Sequence, residues 1–212
     1  MIILNARTSV IALAVLTVLA STTARATFGQ ESNVDAATVT IPSVKVKRII
    51  GRRTRQVVLA LKNQDMARLS AFVHPEKGVR FTPYNYVSVK NDLVFKRQAI
   101  PNQLRNSKKH VWGDYEGSGD PIRLTFRDYY KRFVYDHDFA NMTGVSYDSF
   151  NTRGSADNPW EYYPGAIIVS YYYPGIEGPK GGVMDWKGLR LVFQKKGRAW
   201  FLVGILHDEW MI

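Results

Sequence analysis

The segment Leu189–Trp210, LRLVFQKKGRAWFLVGILHDEW, is the strongest indication of the fold because it has the pattern of two long strands joined by a tight turn. LRLVFQ and AWFLVGILH are apolar runs of strand-forming residues, and KKGR between them supplies a turn glycine. The second run is apolar on both faces as far as Leu206, which is typical of a central strand covered from both sides. We therefore predict a closing hairpin whose last strand lies inside a sheet.

The sequence HDE at the end of this strand raises the question of a catalytic cluster. Successive residues of a strand point to opposite faces, so His207 and Asp208 are expected to have separate partners unless a bulge intervenes. We predict that Asp208 is structural, bonded to backbone or to a basic side chain, with Trp210 closing the core beside it. His207, at the end of a central strand, is a candidate ligand-binding residue at the mouth of a pocket.

Upstream of the hairpin, helical signals come first and strand signals follow. Apolar spacing predicts helices at about 49–62 and 66–73, the second capped by Asp65. A strand follows from Val79 and Phe81 to Tyr86 and Val89, broken near Pro83. A hairpin in HVWGDYEGSGDPIRLTF, a helix capped by Thr125 and a strand in GAIIVSYYYPG complete the order. This order predicts an α+β fold, in which N-terminal helices pack on a curved antiparallel sheet. The alternative is an antiparallel sandwich decorated with helices.

Two segments carry a family resemblance: VVLALKNQDMARLSAFVHPEKGVRF, at Val57–Phe81, and the closing hairpin. They resemble the nuclear transport factor two-like superfamily, also called SnoaL-like or cystatin-like, over roughly residues 49–210, with 90–110 and 140–163 unmatched. Other short sequence motifs of the chain resemble those of a group of exported bacterial proteins for which no activity is known. The resemblance implies a single conical domain with an apolar pocket between sheet and helices. Members include isomerases, dehydratases, cyclases and non-catalytic binding domains, so the resemblance does not indicate which activity this protein has.

The N-terminus has the pattern of a cleavable secretory signal at residues 1–26. A basic start at Arg7, an apolar run from Ser9 to Ala20 and the small-residue site Ala24-Arg25-Ala26 define it. The apolar run is about half of what a membrane span needs, although an uncleaved anchor is the alternative. We expect a periplasmic or extracellular protein with a flexible leader at 27–44, a domain at 45–212 and no membrane span after cleavage.

Composition limits the chemistry further. The 212 residues contain no cysteine, which excludes thiol catalysis, disulfides and thiolate metal sites. The formal net charge is +11, and part of that excess lies in the basic segment 45–55. This segment could bind an anionic envelope polymer or could be the solvated start of a helix. Export, and the lack of interleaved stacking aromatics, argue against a nucleic-acid partner.

Three charged residues are candidates for a site. Asp136 and Asp138 would share one face in extended geometry, with His137 on the other, and could act as acid and base or hold a cation. A polar loop after a helix is the simpler interpretation of that pair. Arg80 follows Val79 and points to the opposite face, where an arginine suits an anionic ligand or a structural salt bridge.

Aromatic residues suggest the walls of a pocket. Tyr84 and Trp112 are candidates for contact with a sugar face or a hydrophobic small molecule, although an aromatic core explains them as well. The segment 114–120 imitates the start of a calcium loop, but Thr125 stands where the bidentate carboxylate is needed. We therefore predict a hairpin turn there and expect neither a metal nor a cofactor.

The function that best fits these patterns is an exported module that binds a small ligand or envelope component between sheet and helices. It could act as a homodimer. The alternative is a small-molecule hydrolase, isomerase or dehydratase that uses a pocket carboxylate with a histidine or tyrosine. A third possibility is an interaction domain that places segment 45–55 on an anionic polymer.

Overall fold

The computed structural model describes residues 44–147, 157–178 and 182–210, all within the unit Val39–Ile212. The predicted signal peptide at 1–26 lies outside these residues, as does the predicted leader apart from Val44. No helix in the described part is both long and apolar enough to cross a membrane.

Two helices open the described chain, as predicted. They are α1 (Val44–Lys62) and α2 (Met66–Phe72), and the carboxylate of Asp65 caps α2 by accepting a hydrogen bond from the Arg68 amide at 2.9 Å. Helix α1 begins earlier than predicted, so the basic segment 45–55 is helical. Its repeated Lys and Arg side chains are compatible with a helix because long, unbranched side chains lose little freedom there.

The remaining elements have the following bounds. The strands are β1 (Val79–Thr82), β2 (Leu93–Phe95), β3 (Lys109–Asp114), β4 (Pro121–Thr125), β5 (Val145–Tyr147), β6 (Ile167–Tyr173), β7 (Ile176–Glu177), β8 (Val183–Met184), β9 (Lys187–Lys196) and β10 (Ala199–Glu209). The helices are α3 (Phe126–Phe133) and α4 (Pro159–Tyr162), with 3-10 helices at Arg97–Arg105 and Phe139–Asn141. Thr125 caps α3 by accepting a hydrogen bond from the Asp128 amide at 3.2 Å, as predicted.

A six-stranded sheet in the order β2-β1-β10-β9-β6-β5 forms the centre of an α+β domain. The predictions of a β9–β10 hairpin and of a central last strand are confirmed. The hairpin of β3 and β4 is confirmed as well, with its turn in the segment that imitates a calcium loop.

The sheet is mostly antiparallel, consistent with the prediction, and β1 runs parallel to β10, a pairing that the sequence did not indicate. The rest of the domain separates these strands along the chain, and no tight turn dictates their relative direction. The predicted strand around Tyr86 and Val89 does not form, and bends and turns occupy that segment.

The two faces of the sheet have different coverings, which we call the inner and outer faces. The inner face packs against helices and aromatic rings around Phe81, whose edge contacts are Phe95, Trp112, Phe126 and Tyr129. The outer face carries a smaller buried cluster of Val87, Tyr163, Ile168, Val192, Val203 and Leu206. Burial on both faces gives the sheet two separate surfaces on which a site can form.

A β-bulge between Leu202 and Gly204 changes which residues of β10 share a face. Simple alternation placed Leu202 with Asp208, but the structure places Leu202 in the inner core, together with Ile205. Val203 is the extra residue and packs on the outer face. The bulge precedes His207 and Asp208, so these two side chains still point to opposite faces.

Candidate functional site

On the inner face the structure brings together two residues that the sequence suggested separately. Nε2 of His207 lies 3.1 Å from Oδ2 of Asp136, and these residues are 71 positions apart in the chain. Asp136 follows the end of α3, and its carboxylate lies near the end of β10. A carboxylate that holds an imidazole is also the arrangement found in general bases.

Further charges surround this pair. Arg132 donates two hydrogen bonds to Glu209 at 2.9 and 2.6 Å, and Lys187 contacts both Glu209 and, at 4.0 Å, Asp136. Burial alone would raise the pKa of Asp136, but the hydrogen bond and charge of His207, together with the charges of His137 and Lys187, outweigh it and lower that pKa. The inner polar cluster, defined as Arg132, Asp136, Lys187, His207 and Glu209, therefore balances its charges internally.

His207 has no exposed surface, and its ring meets Phe133 edge to face with centroids 5.6 Å apart. Trp112 stacks on Tyr129 at 3.8 Å in the same layer of the core. The ring of His207 thus lies within packed side chains and not on the wall of an open cavity. The geometry favours a structural role for the His207–Asp136 pair.

The other predicted site residues on this side lie apart. Asp138 is exposed and pairs with Lys62 at 2.8 Å, so the two aspartates do not form an acid–base pair. Trp112 belongs to the core, where its ring nitrogen donates to the carbonyl of Leu124 at 3.0 Å. Tyr84 is half-buried against Phe133, and its hydroxyl accepts from the Glu116 amide at 3.2 Å. Each of these three side chains is thus engaged with other parts of the protein, and the structure does not gather them into one site.

A small cavity does lie between helix and sheet. It measures about 240 Å³ and is bordered by α1, the segment around Met142 and strands β5 and β6. Arg55 from the basic segment is its charged residue. This cavity contains no residue predicted for a site.

Asp208 points to the outer face and accepts a hydrogen bond from Arg190 at 2.9 Å. This is the basic partner that the sequence predicted. Arg190 also pairs with Asp157, and all three side chains are more than nine-tenths buried. Burial raises the pKa of Asp208 to about 6, although the charge of Arg190 opposes that rise. Trp210 is half-buried beside them, and its amide donates to the carbonyl of Trp186 at 2.9 Å.

These charges border an open cavity of about 450 Å³ on the outer face, which we call the Trp186 pocket. Its lining residues are Gly144, Val145, Ser146, Ser170, Tyr171, Tyr172, Trp186, Gly188, Arg190 and Asp208. Strand register explains the arrangement, because paired residues of neighbouring strands share a face. One row across the sheet is Asp208, Gly188 and Tyr172, and the next is Arg190, Ser170 and Ser146.

Small residues keep the floor of the Trp186 pocket open. A Cβ on Gly188 would lie 3.1 Å from Cβ of Asp208, so any side chain there would push the carboxylate aside. Tyr172 and Trp186 form one wall, with ring centroids 6.1 Å apart. The pocket thus combines aromatic surface, hydroxyls and a charged pair.

Sequence reasoning missed the residues that build this pocket, although a signal was present. Arg190 and Ser170 are polar residues within apolar strands, in LRLVF and IIVSYYY. A polar residue in a strand covered on both sides needs a buried partner or a site.

Arg80 also points to the outer face, as its alternation with Val79 predicted. Its guanidinium lies 3.8 Å from Asp92, which accepts hydrogen bonds from the Thr82 hydroxyl and the Ser88 amide, each at 2.9 Å. Burial raises the pKa of Asp92 to about 6 against these opposing interactions. Asp92 is therefore a buried carboxyl that binds its proton more tightly in the folded state than in the unfolded state.

The linkage between Asp92 and pH gives a test of this burial. Because the pKa is raised from 3.8 to about 6, wild-type stability should fall as pH rises through that interval. Asp92→Asn cannot titrate, so its free energy of unfolding relative to wild type should increase by about 2 kcal/mol between pH 4 and pH 7. Urea unfolding across this range measures the difference.

Asp138→Asn is the control, because the opposite pH dependence of stability is expected for it. The hydrogen bond from Lys62 lowers the pKa of Asp138, so its contribution to stability is present above the usual carboxyl pKa and is lost as pH falls. A pH-independent difference between Asp92→Asn and wild type would contradict the burial of Asp92.

Comparison with known proteins adds little to this geometry. No protein-family model matches the chain, and no curated protein matches it. Among solved structures, the chain is similar to Aln2 from a Streptomyces species, with a TM-score of 0.36 and 11% identity, over 80% of this chain and 93% of that one.

Proposed function

We propose that the protein is an exported module that binds a small ligand in the Trp186 pocket, within a fold of the nuclear transport factor two type. The observation that carries the proposal is an open cavity of about 450 Å³ in which an aromatic wall faces a buried Arg190–Asp208 pair. The location differs from the one expected from the sequence, because the outer face carries this cavity while rings pack around His207.

The lining residues favour a polar ligand with one apolar face. A carbohydrate has this combination of hydroxyl groups and apolar ring surface. Tyr172 and Trp186 offer ring surface, and Ser146 and Ser170 offer hydroxyls that both donate and accept. Asp208 and Arg190 add a charged acceptor and charged donors, which form stronger hydrogen bonds than neutral groups. A neutral ligand rich in hydroxyls fits this set better than a purely apolar one, which would leave the buried charges unsolvated.

The proposal predicts that Trp186→Ala weakens binding of an oligosaccharide at least roughly tenfold, because the ligand loses its stacking surface. An array of bacterial envelope oligosaccharides identifies the probe, and calorimetric titration of the strongest binder measures Kd. Trp200→Ala removes a half-buried tryptophan from the other face of the sheet and serves as the matched control.

Wild-type affinity should survive in Trp200→Ala. If no oligosaccharide binds, or if both tryptophan variants weaken binding equally, the Trp186 pocket is not the binding site. Thermal unfolding of both variants shows whether a loss of affinity follows a loss of structure.

The alternative function, a small-molecule hydrolase, isomerase or dehydratase, rests on Asp208. A carboxyl with a pKa of about 6 can exchange a proton near neutral pH, and the Tyr172 ring lies across Gly188 from it. Asp208→Asn separates the two functions. An enzyme would lose turnover of the bound sugar while its Kd changed only a few-fold, whereas a binding module would show no turnover in either form.

A further inference from the structure

A second cavity of about 490 Å³ opens on the outer face beside β1, and we call it the Arg80 cavity. Its lining residues are Lys77, Arg80, Val94, Tyr162, Tyr163, Pro164, Gln194 and Val203. Among these residues both charged side chains are cations. The Arg80 cavity therefore differs in charge from the Trp186 pocket, which has a carboxylate in its lining.

Arg80 is held in place before any ligand arrives. One guanidinium nitrogen donates to the Tyr162 hydroxyl at 2.6 Å, and the guanidinium carbon lies 4.9 Å from the centroid of that ring. The other terminal nitrogen is 3.4 Å from the Ser88 carbonyl. Arginine has five donors, so these two hydrogen bonds leave donors for a ligand.

Asp92 offsets only part of the charge on Arg80. The same Asp92 oxygen that lies 3.8 Å from Arg80 accepts the shorter hydrogen bonds from Thr82 and Ser88. The Arg80–Asp92 contact is thus an ion pair without a direct hydrogen bond. The cation retains attraction for a second, better-placed anion.

Tyr163 supplies an independent indication of a ligand. It is 5% exposed, and Arg80 approaches its hydroxyl, but no described residue accepts a hydrogen bond from that hydroxyl. The hydroxyl lies 3.2 Å from where a Cβ on Gly204 would be, so the glycine makes room for it. Buried hydroxyls normally have partners, and an acceptor in the cavity would provide one.

We propose that the Arg80 cavity binds an organic anion, with a carboxylate as the recognised group. Arg80 and the hydroxyl of Tyr163 would donate to the carboxylate, and Lys77, hydrogen-bonded to Gln194 at 2.6 Å, adds positive charge at the cavity. Val94, Val203 and Pro164 would contact the apolar part of the ligand. This site is separate from the Trp186 pocket and does not depend on its proposed function.

Calorimetric titration of the full chain tests the proposal with hexanoate and hexanol as matched probes. Hexanoate should bind at one site per chain, and hexanol should bind at least roughly tenfold more weakly because it lacks the charge. Lys77→Gln and Tyr163→Phe should each weaken hexanoate binding roughly three- to tenfold. Tyr163→Phe retains the ring and should keep the fold, since no described residue accepts a hydrogen bond from the hydroxyl.

Lys131→Gln is the control, because it removes the same charge from an exposed position on α3. It should leave hexanoate binding unchanged, as should Trp186→Ala. Absence of saturable binding up to ~10 mM hexanoate, equal binding of hexanol, or equal weakening by Lys131→Gln would each overturn the proposal. Equal weakening by Lys131→Gln would show that hexanoate is attracted to the basic protein surface in general and not to the Arg80 cavity.

Discussion

Arg190→Met is expected to lower the free energy of unfolding by about 3–5 kcal/mol at pH 8. Arg190 is paired with both Asp157 and Asp208, and each of these carboxylates has a side chain only 8% exposed. Methionine fills a similar volume but leaves two buried carboxylates without their cation. The penalty thus comes from uncompensated charge more than from lost packing.

The loss should become smaller as pH falls. Burial already raises the pKa of both carboxyls, to about 6 for Asp208, and removal of Arg190 raises these pKa values further. The folded variant then binds protons that the unfolded chain releases, so lower pH stabilises the variant relative to wild type. Urea unfolding at pH 5 and pH 8 measures both values.

Arg123→Met is the matched control, since Arg123 is an exposed residue of β4. Its effect should stay within about 0.5 kcal/mol and should not depend on pH. A loss below about 1 kcal/mol for Arg190→Met at pH 8 would show that the pair contributes little to folding, and it would remove the electrostatic basis of the Trp186 pocket.

His207→Ala is expected to lower the free energy of unfolding by about 2–4 kcal/mol. The ring is fully buried against Phe133, so alanine leaves a cavity, and Asp136 loses its hydrogen bond from the imidazole. The sequence suggested a ligand-binding role for His207, whereas its complete burial indicates a contribution to stability. Lys187, 4.0 Å from Asp136, limits the loss.

Chemical denaturation of four variants, His207→Ala, Asp136→Ala, the double variant and His137→Ala, separates the contributions to this effect. His137→Ala removes a histidine whose side chain is 32% exposed beside the same carboxylate and should change stability by less than about 1 kcal/mol. Adding Asp136→Ala to His207→Ala should destabilise less than the sum of the single changes, because the orphaned carboxylate is gone. Strict additivity would contradict the pairing of His207 with Asp136.

Local sequence patterns were enough to predict most of the elements. The apolar runs of β9 and β10, the turn between them and the caps at Asp65 and Thr125 were all found where the patterns placed them. Each depends on interactions within a few residues or on burial of a continuous apolar run. The central place of β10 followed from its two apolar faces for the same reason.

The candidate site was less predictable, because it depends on contacts between distant parts of the chain. Sequence patterns suggested His207 and Asp136 one at a time, and only the tertiary fold brings them to 3.1 Å. Arg190 was not selected at all, since its two carboxylate partners lie 18 and 33 positions away.

Sequence patterns predicted the α+β class, the closing hairpin and the opposite faces of His207 and Asp208, because backbone periodicity and apolar burial act locally. The tertiary structure was needed to find the parallel pairing of β1 with β10, the bulge at Val203 and the cavities on the outer face. Strand direction, register and cavity shape depend on how distant segments pack together, and no local pattern encodes that packing.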